Sequence, residues 1–424
     1  MKTDYHSHRR YIILNMINHM GPISRKKLIE FTDYRPASVT ELTKELIDEG
    51  LVIETGSVSG GSGRRRTLLT LNIQKLCAIG VFLSYTHVVY ILSQLDGTIV
   101  ERIDGDVMEL QGDALADRVV SRVKSLITGH PERTIVGIGL GDPLYDPARY
   151  DLAASLPQVY EHFTDWGRLK LKPRLEEATC LPVSNFSAVY LPAVAEQHFG
   201  QAKNKQDFIC VELGNGIGSS IISGGKVVMG FQGRAGELGH TTINFGAENR
   251  SMCYCGKAGC VEADAAFPYI SRNICAALKN GTYSVLIDFY DGSRPLTVQD
   301  VRRGLDAGDI LCEHYVRESA RRIGAAVANA VNLLNPEMVV FYGFMTELGD
   351  FFIDEIRSIL RRNTLVIMRD YQVAVSSQME TLMPLGAAAE MFNEYLHTED
   401  YSNIYRLPKE PETEDDDADD SEEW

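Results

Sequence analysis

Residues 212–262 read ELGNGIGSSIISGGKVVMGFQGRAGELGHTTINFGAENRSMCYCGKAGCVE. Cys253, Cys255 and Cys260 put three thiols within eight residues, and His240 precedes Cys253 by thirteen. Three thiolates and one imidazole make a closed tetrahedral set for Zn²⁺, and a closed set is structural because it leaves no position for a catalytic water. Taken alone, the residues leave a second reading open, free buried cysteines or an accidentally oxidised pair. Gly214, Gly216 and Gly218 permit close backbone approach, but they serve hairpin geometry as well as they serve a nucleotide. The other five cysteines, Cys77, Cys180, Cys210, Cys275 and Cys312, are scattered and read as core residues. A secreted disulfide framework does not fit so long a chain with no apolar signal region in MKTDYHSHRR.

On either side of this stretch, strand and helix patterns alternate. AIGVFLSYTHVVYILSQLDGTIVERI reads as two or three strands with a turn at Asp96-Gly97. ALADRVVSRVKSLITGH is an amphipathic helix, TIVGIGLG a buried strand, 173–181 a helix and LPVSNFSAV a strand. Residues 207–231 form a Gly-rich hairpin region, 309–334 a long helix, and MVVFYG a strand. The alternation describes an α/β body of two similar lobes around a cleft. No run of 18 apolar residues occurs, so no membrane span is expected, and the chain reads as cytoplasmic.

The first 72 residues follow another pattern. Ile12, Ile13, Met16 and Ile17 share one helical face, and Gly21-Pro22 ends that helix. RKKLIEFT is a second helix. A third starts at Pro36, carries Val39, Leu42, Leu46 and Ile47 at helical spacing, and stops at Gly50. LVIETGSVSGGSGRRRTLLTLN then gives two β-prone runs around a Gly/Ser tip. Three helices and a basic-tipped hairpin make a winged helix-turn-helix. The third helix is the candidate major-groove element, with Arg35, Ser38 and Thr40 facing base edges. Lys44 and the wing arginines Arg64, Arg65 and Arg66 would meet phosphate or the minor groove. Arg25, Lys26 and Lys27 are candidate backbone clamps.

Charge agrees with this division. The whole chain carries −16, which by itself argues against nucleic-acid binding. Residues 1–70 nevertheless carry +3, residues 410–424 carry −10, and the middle carries −9. A mildly basic head on an acidic body suits a selective DNA reader. The tail PKEPETEDDDADDSEEW is low-complexity and reads as disordered.

The composite of Gly214-x-Gly216-x-Gly218, GRAGELGH at 233–240 and CYCGKAGCVE at 253–262 resembles the ROK family of bacterial sugar kinases and sugar-responsive repressors. Weaker likeness extends from the winged helix to Gly386. The resemblance implies a two-lobed actin-like (ribonuclease H-like) sugar-kinase fold. It also implies that the repressor branch adds an N-terminal winged helix, that Zn²⁺ sits on His240, Cys253, Cys255 and Cys260, and that a homodimer or homotetramer forms. Glu237 and Glu262 match acids that bond sugar hydroxyls, and His240 matches the histidine that touches both sugar and metal.

The chain departs from the kinase pattern where chemistry is done. The family's Asn-Asp pair falls on Ser187 and Ala188, and alanine cannot accept the proton of a sugar hydroxyl. Phe82 replaces an acid expected near Mg²⁺, Ser84-Tyr85 replace glycines of the phosphate turn, and the late glycine motif has become Phe341-Tyr342-Gly343-Phe344. The sequence therefore reads as a winged helix over 1–72, a kinase-like body over 73–405 with its zinc loop at 240–260, and a tail over 406–424. Its expected role is a non-enzymatic, sugar-sensing transcriptional repressor that binds a double-stranded DNA operator. An active ATP-dependent sugar kinase, or a DNA-binding protein with a vestigial sugar site, is the competing reading.

Overall fold

The computed structural model describes residues 2–58, 66–84, 87–106, 112–142, 169–245, 251–377 and 381–396. Arg64, Arg65, Tyr85 and the acidic tail lie outside them. The chain divides into two compact units, one running to Leu76 and taking in the segment from Phe392, the other spanning Cys77–Met391.

In the first unit, α1 (Lys2–Met20) buries Ile12 through Ile17 and packs on the third helix and the hairpin. The short β1 (Ile23–Ser24) runs into α2 (Arg25–Thr32), whose first turn is capped by Ser24 Oγ accepting from the Lys27 N–H at 3.3 Å. Asp33 stands in the left-handed region and ends that helix. Pro36 opens α3 (Pro36–Asp48), which buries Val39, Leu42, Thr43 and Leu46. Gly50, at φ +72°, reverses the chain into β2 (Val52–Val58), which pairs antiparallel with β3 (Arg66–Leu71). β1 completes a three-stranded sheet in the order β1-β3-β2. The rings of Tyr11 and Tyr395 meet at a tilt of 58° with centroids 6.3 Å apart, which ties the C-terminal segment to α1.

The second unit contains two five-stranded sheets. The first holds β4 (Leu76–Leu83), β5 (His87–Gln94), β6 (Ile99–Asp106), β7 (Thr134–Asp142) and β8 (Val183–Ser187), in the order β6-β5-β4-β7-β8. The other holds β9 (Phe208–Leu213), β10 (Ile217–Ser223), β11 (Lys226–Val227), β12 (Met338–Tyr342) and β13 (Gln372–Val375), in the order β11-β10-β9-β12-β13. Numbered within each sheet, both follow 3-2-1-4-5, so one topology is built twice. α4 (Gly112–Gly129) and α5 (Leu171–Thr179) cover the first sheet. α7 (Val261–Ala265), α8 (Phe267–Lys279), α9 (Val298–Asp306), α10 (Ile310–Leu334) and α11 (Asp350–Asn363) cover the second. α6 (Leu191–Phe199) and α12 (Leu382–Leu396) contribute to a third apolar layer that draws on both sheets.

Strand alternation explains this layering. Ile209, Val211 and Leu213 of β9 and Val339 and Phe341 of β12 face the helices, while Phe208, Cys210, Met338, Val340 and Tyr342 face the shared layer. Both faces are buried, so these strands read as continuous apolar runs. The five scattered cysteines follow the core expectation only in part. Cys77, Cys210 and Cys312 are buried and Cys275 is half-buried, but Cys180 is exposed at the left-handed end of α5.

α12 lies so close to the first sheet that side chains are excluded. A Cβ on Gly80 would stand 1.8 Å from the Pro384 carbonyl oxygen, and one on Gly139 would stand 2.3 Å from that of Ala387. Gly80→Ala is therefore expected to destabilise the second unit by about 1–3 kcal/mol, the usual cost of overpacking. Chemical denaturation followed by tryptophan fluorescence and circular dichroism measures the shift in midpoint. A midpoint unchanged within error would refute this close packing.

Candidate functional site

The segment 233–240 is laid along β10 by glycines. A Cβ on Gly236, at φ +89°, would meet the Ser219 carbonyl oxygen at 2.0 Å, and one on Gly239 would meet that of Ile217 at 2.0 Å. Only residues without a side chain allow this approach. The Ser219 N–H and Oγ both donate to the Gly236 carbonyl, at 3.1 and 2.8 Å. Glu237 and His240 are thereby brought beside β10. Glu262 arrives from α7, and its Oε2 accepts from the Ile217 N–H at 2.9 Å. Gly216 clears the way for it, since a Cβ there would lie 2.7 Å from Glu262 Oε2.

The loop that follows gathers the expected ligands. His240, Cys253, Cys255 and Cys260 offer ligand atoms all within 4.8 Å of one another. Cys253 Sγ stands 3.6 Å from His240 Nδ1, and Cys255 Sγ stands 3.6 Å from Cys260 Sγ. A tetrahedron built on metal–sulfur bonds near 2.3 Å has edges of about 3.8 Å, so the donor set fits a divalent ion. Gly256 (φ +85°) and Gly259 (φ +82°) make the reversals that fold the thiols inward. Burial pushes the Cys253 thiol up to about 12, and burial raises Cys260 as well. At Cys255 burial works in the same direction, but the Lys257 N–H, the two neighbouring thiols and the Lys257 ammonium outweigh it and lower its pKa.

The imidazole of His240 faces two ways. Nδ1 points to the cysteines, while Nε2 lies 3.1 Å from the Tyr254 hydroxyl and 3.9 Å from Glu237 Oε2. His240 lines a cavity of about 170 Å³ together with Glu212, Ser219, Glu237, Tyr254, Glu262 and Tyr342. All three residues expected to contact a sugar, Glu237, His240 and Glu262, therefore share one cavity.

Glu212, Tyr254 and Tyr342 were not anticipated. Glu212 leaves β9 with its carboxylate partly open to the cavity and otherwise enclosed by protein. Burial and the neighbouring Glu262 charge hold its carboxyl up to about 7, against the downward pull of a hydrogen bond donated by the Tyr342 hydroxyl. Burial and the Glu212 charge push Tyr342 well above its ordinary value. A carboxylate in the otherwise apolar run FICVEL was the available signal, because an acid inside a buried strand needs a reason.

The positions expected to depart from the kinase pattern are packed. Ala188 is 4% exposed, and its N–H donates to the Asp142 carbonyl at 3.0 Å. Ser187 Oγ turns back to accept from the Val189 N–H at 3.4 Å. Phe82 lies edge-on to His87, with ring centroids 6.4 Å apart. Phe344 rests on Phe267 at 5.5 Å and would touch a Cβ on Gly214 at 3.3 Å, so an aromatic ring covers the Gly-rich turn.

In the first unit, Arg35 immediately precedes α3 and is exposed, as are Thr40, Lys44 and Arg66. Ser38 is half-buried, and the Thr40 hydroxyl donates to the Pro36 carbonyl at 2.9 Å. Arg25, a clamp candidate, is already engaged, with Nε donating to Thr43 Oγ1 at 2.9 Å and Nη2 to Glu54 Oε1 at 3.0 Å. Lys26 pairs with Glu30 at 3.4 Å. Among the described residues, no helix is long and apolar enough to cross a membrane.

A family model described as "ROK family" matches residues 78–391. The chain is 27% identical to the xylose repressor of Caldicellulosiruptor bescii over 93% of this chain and 97% of that protein. It is also 27% identical to the DNA-binding transcriptional dual regulator NagC of Escherichia coli, over 89% of this chain and 90% of that protein. Among solved structures, a ROK family transcriptional regulator, homologue of the E. coli MLC protein, matches with a TM-score of 0.74 and 24% identity over 92% of this chain and 96% of that one. A ROK family glucokinase from Streptomyces griseus, in complex with glucose and AMPPNP, matches with a TM-score of 0.56 and 26% identity over 74% of this chain and 98% of that one. The expected α/β sugar-kinase fold is thus the fold observed.

The raised pKa of Glu212 sets a pH dependence. Its carboxyl stays protonated in the folded chain up to about 7, whereas the ordinary value is 4.5. The folded state therefore binds this proton more tightly, and its stability falls as pH rises from the ordinary value through the folded one. The loss is on the order of 3 kcal/mol and is complete above the folded value. Glu212→Gln is expected to abolish this component when denaturation midpoints at pH 5 and pH 8 are compared. Equal pH dependence in the variant and the parent would contradict the assignment.

Proposed function

Because this chain belongs to the ROK family, we propose that it is a sequence-specific, DNA-binding transcriptional repressor of sugar uptake or catabolism genes, whose larger unit senses a sugar or sugar derivative. The observation that carries this reading is Ala188. It stands where a kinase of this family needs a proton acceptor, while Glu237, His240 and Glu262 keep a cavity equipped for hydroxyl recognition. A carboxylate accepts from hydroxyl donors, and an imidazole nitrogen either accepts or donates, so together they select an oriented polyol. Without general-base help, phosphoryl transfer loses a factor on the order of 10²–10⁴. Phe344 over Gly214 and Phe82 beside His87 further disfavour a nucleotide.

The output of such a chain passes through its first unit. We read its three helices and the β2–β3 hairpin as a winged helix-turn-helix, with α3 as the reading helix. Arg35 just before α3, Ser38, Thr40 and Lys44 on it, and Arg64, Arg65 and Arg66 in the wing are its proposed DNA contacts. The repressor relative matches 93% of the chain and the glucokinase structure 74%, which fits a DNA-binding head present in the first and lacking in the second. Sugar binding would favour one arrangement of a homodimer or homotetramer and so change the spacing of its reading helices on a two-fold operator. The protein would act in the cytoplasm.

Zinc fits the donor set of His240, Cys253, Cys255 and Cys260. When bound it would supply cross-linking and charge, in a closed set that leaves no open position for chemistry. His240 would then be held with Nδ1 toward the metal and Nε2 toward the sugar, an arrangement in which the metal fixes the ring that reads the ligand. Glu262, steadied by the Ile217 N–H, and Glu237 would accept from the sugar hydroxyls.

Gel shifts with genomic fragments, with and without candidate sugars, test the main reading. Arg35→Ala is expected to weaken specific binding by roughly 1–3 kcal/mol if it reads a base. Lys44→Ala is expected to weaken all duplexes alike and to lower the salt slope by about one. A protein that ignores every duplex, or that consumes ATP in step with glucose, N-acetylglucosamine or N-acetylmannosamine at an ordinary kinase rate, would end this account.

Metal analysis gives an independent check. One zinc per chain is expected, and Cys255→Ser or a strong chelator should lower the melting midpoint and release sugar. Full sugar affinity in metal-free protein would disconnect His240 from the metal.

A further inference from the structure

Glu212 approaches the cavity from a wall of its own. Glu237 and His240 come from the 233–240 segment and Glu262 from α7, whereas Glu212 rises from β9 beneath the glycine turn. Gly214 and Gly218 flank it at contact distance, since Cβ atoms there would stand 3.9 and 3.6 Å from its carboxylate oxygens. The buried Tyr342 hydroxyl donates to it from below. Three carboxylates, those of Glu212, Glu237 and Glu262, thus surround about 170 Å³, and among the described residues no lysine or arginine lines that space.

This charge distribution discriminates among sugars. A phosphate or carboxylate group would sit against three acids with no cation to meet it, whereas anion sites are built from arginine, lysine or helix N-termini. A neutral hydroxyl bonds one acid at a time and leaves their mutual repulsion in place. An ammonium group carries three donors and a positive charge, which matches the ionised Glu237 and Glu262 and the carboxylate that Glu212 becomes once it gives up its proton.

Resting on the sugar-sensing reading above, we propose that Glu212 is a specificity-determining residue that makes the cavity prefer a sugar bearing a cationic amine over its neutral counterpart and reject sugars bearing phosphate or carboxylate. The crowding that keeps a proton on Glu212 points the same way. An arriving ammonium takes that proton's place: the Glu212 O–H bond breaks, the proton passes to solvent, and an N–H···O hydrogen bond forms to the resulting carboxylate.

Isothermal titration calorimetry on the full chain at neutral pH, in two buffers of different ionisation enthalpy, tests this. The panel pairs glucose, galactose and mannose with their 2-amino counterparts, and adds xylose, N-acetylglucosamine, glucuronate, glucose 6-phosphate and glucosamine 6-phosphate. In at least one pair the amino sugar should bind roughly tenfold tighter than its parent, the gain of a charge-assisted hydrogen bond, and should release a proton. The three acidic sugars should give no binding heat. Glu212→Gln keeps a polar partner for Tyr342; its melting midpoint checks that it is folded, and it should bring the amine preference to about one and abolish proton release. The proposal is overturned if a neutral sugar binds while every amino sugar is silent, if an anionic sugar binds more tightly than its parent, or if the preference survives in the folded variant. Silence of the whole panel would defeat the sugar-sensing reading and take this proposal with it, while tight binding of a phosphorylated sugar would defeat the selectivity alone. The wild-type ranking decides the matter even if the variant does not fold.

Discussion

The shape of the cavity beside β10 depends on two contacts in which backbone touches backbone. Gly236 and Gly239 bring one loop to within van der Waals distance of β10, against the carbonyls of Ser219 and Ile217. A side chain at either position would push the loop outward by more than an ångström. Glu237 would leave the cavity, and His240 would lose its place between the cysteines and the open space. The strand in turn holds Glu262 through the Ile217 N–H. A single β-hairpin thus serves as the ruler against which acids from two directions are set.

The duplicated sheets explain why such a ruler is rigid. β9 and β12 are buried on both faces, so they cannot shift without disturbing an apolar layer on each side. Polar groups attached to them are correspondingly costly unless paired, and Glu212 and Tyr342 pair with each other. The site therefore combines a stiff floor made by strands with walls made by loops. His240 joins the two regimes, since Nδ1 lies against Cys253 and Nε2 against Tyr254, which lines the cavity.

Much of this was legible in the sequence, and for identifiable reasons. α2 and α10 could be bounded almost to the residue because Ser24, Asp33, Asp309 and Asn335 are strong local stops and starts. His240, Cys253, Cys255 and Cys260 announced themselves through residue type and spacing, and the structure brings their ligand atoms together. Glu212 and Tyr342 did not, because their meeting requires β9 and β12 to lie side by side, a pairing between residues 130 positions apart in the chain. Tyr254 was hidden inside the cysteine motif, where its neighbours drew the attention. Arg25 shows the opposite limit: a basic residue near α3 is a clamp candidate by sequence, but Thr43 and Glu54, distant in sequence, already hold it.

The packed alanine after β8 has a consequence for how this chain can change over time. Ala188 is enclosed and its backbone is bonded to Asp142, so a carboxylate introduced there would enter a space shaped for a methyl group. Burying an unpartnered acid costs several kcal/mol. Phe82 and Phe344 would still occupy their own positions beside His87 and Gly214. An acid at Ala188 would therefore cost stability before it could add any chemistry, so the packing behind β8 limits which substitutions this wall of the cleft tolerates.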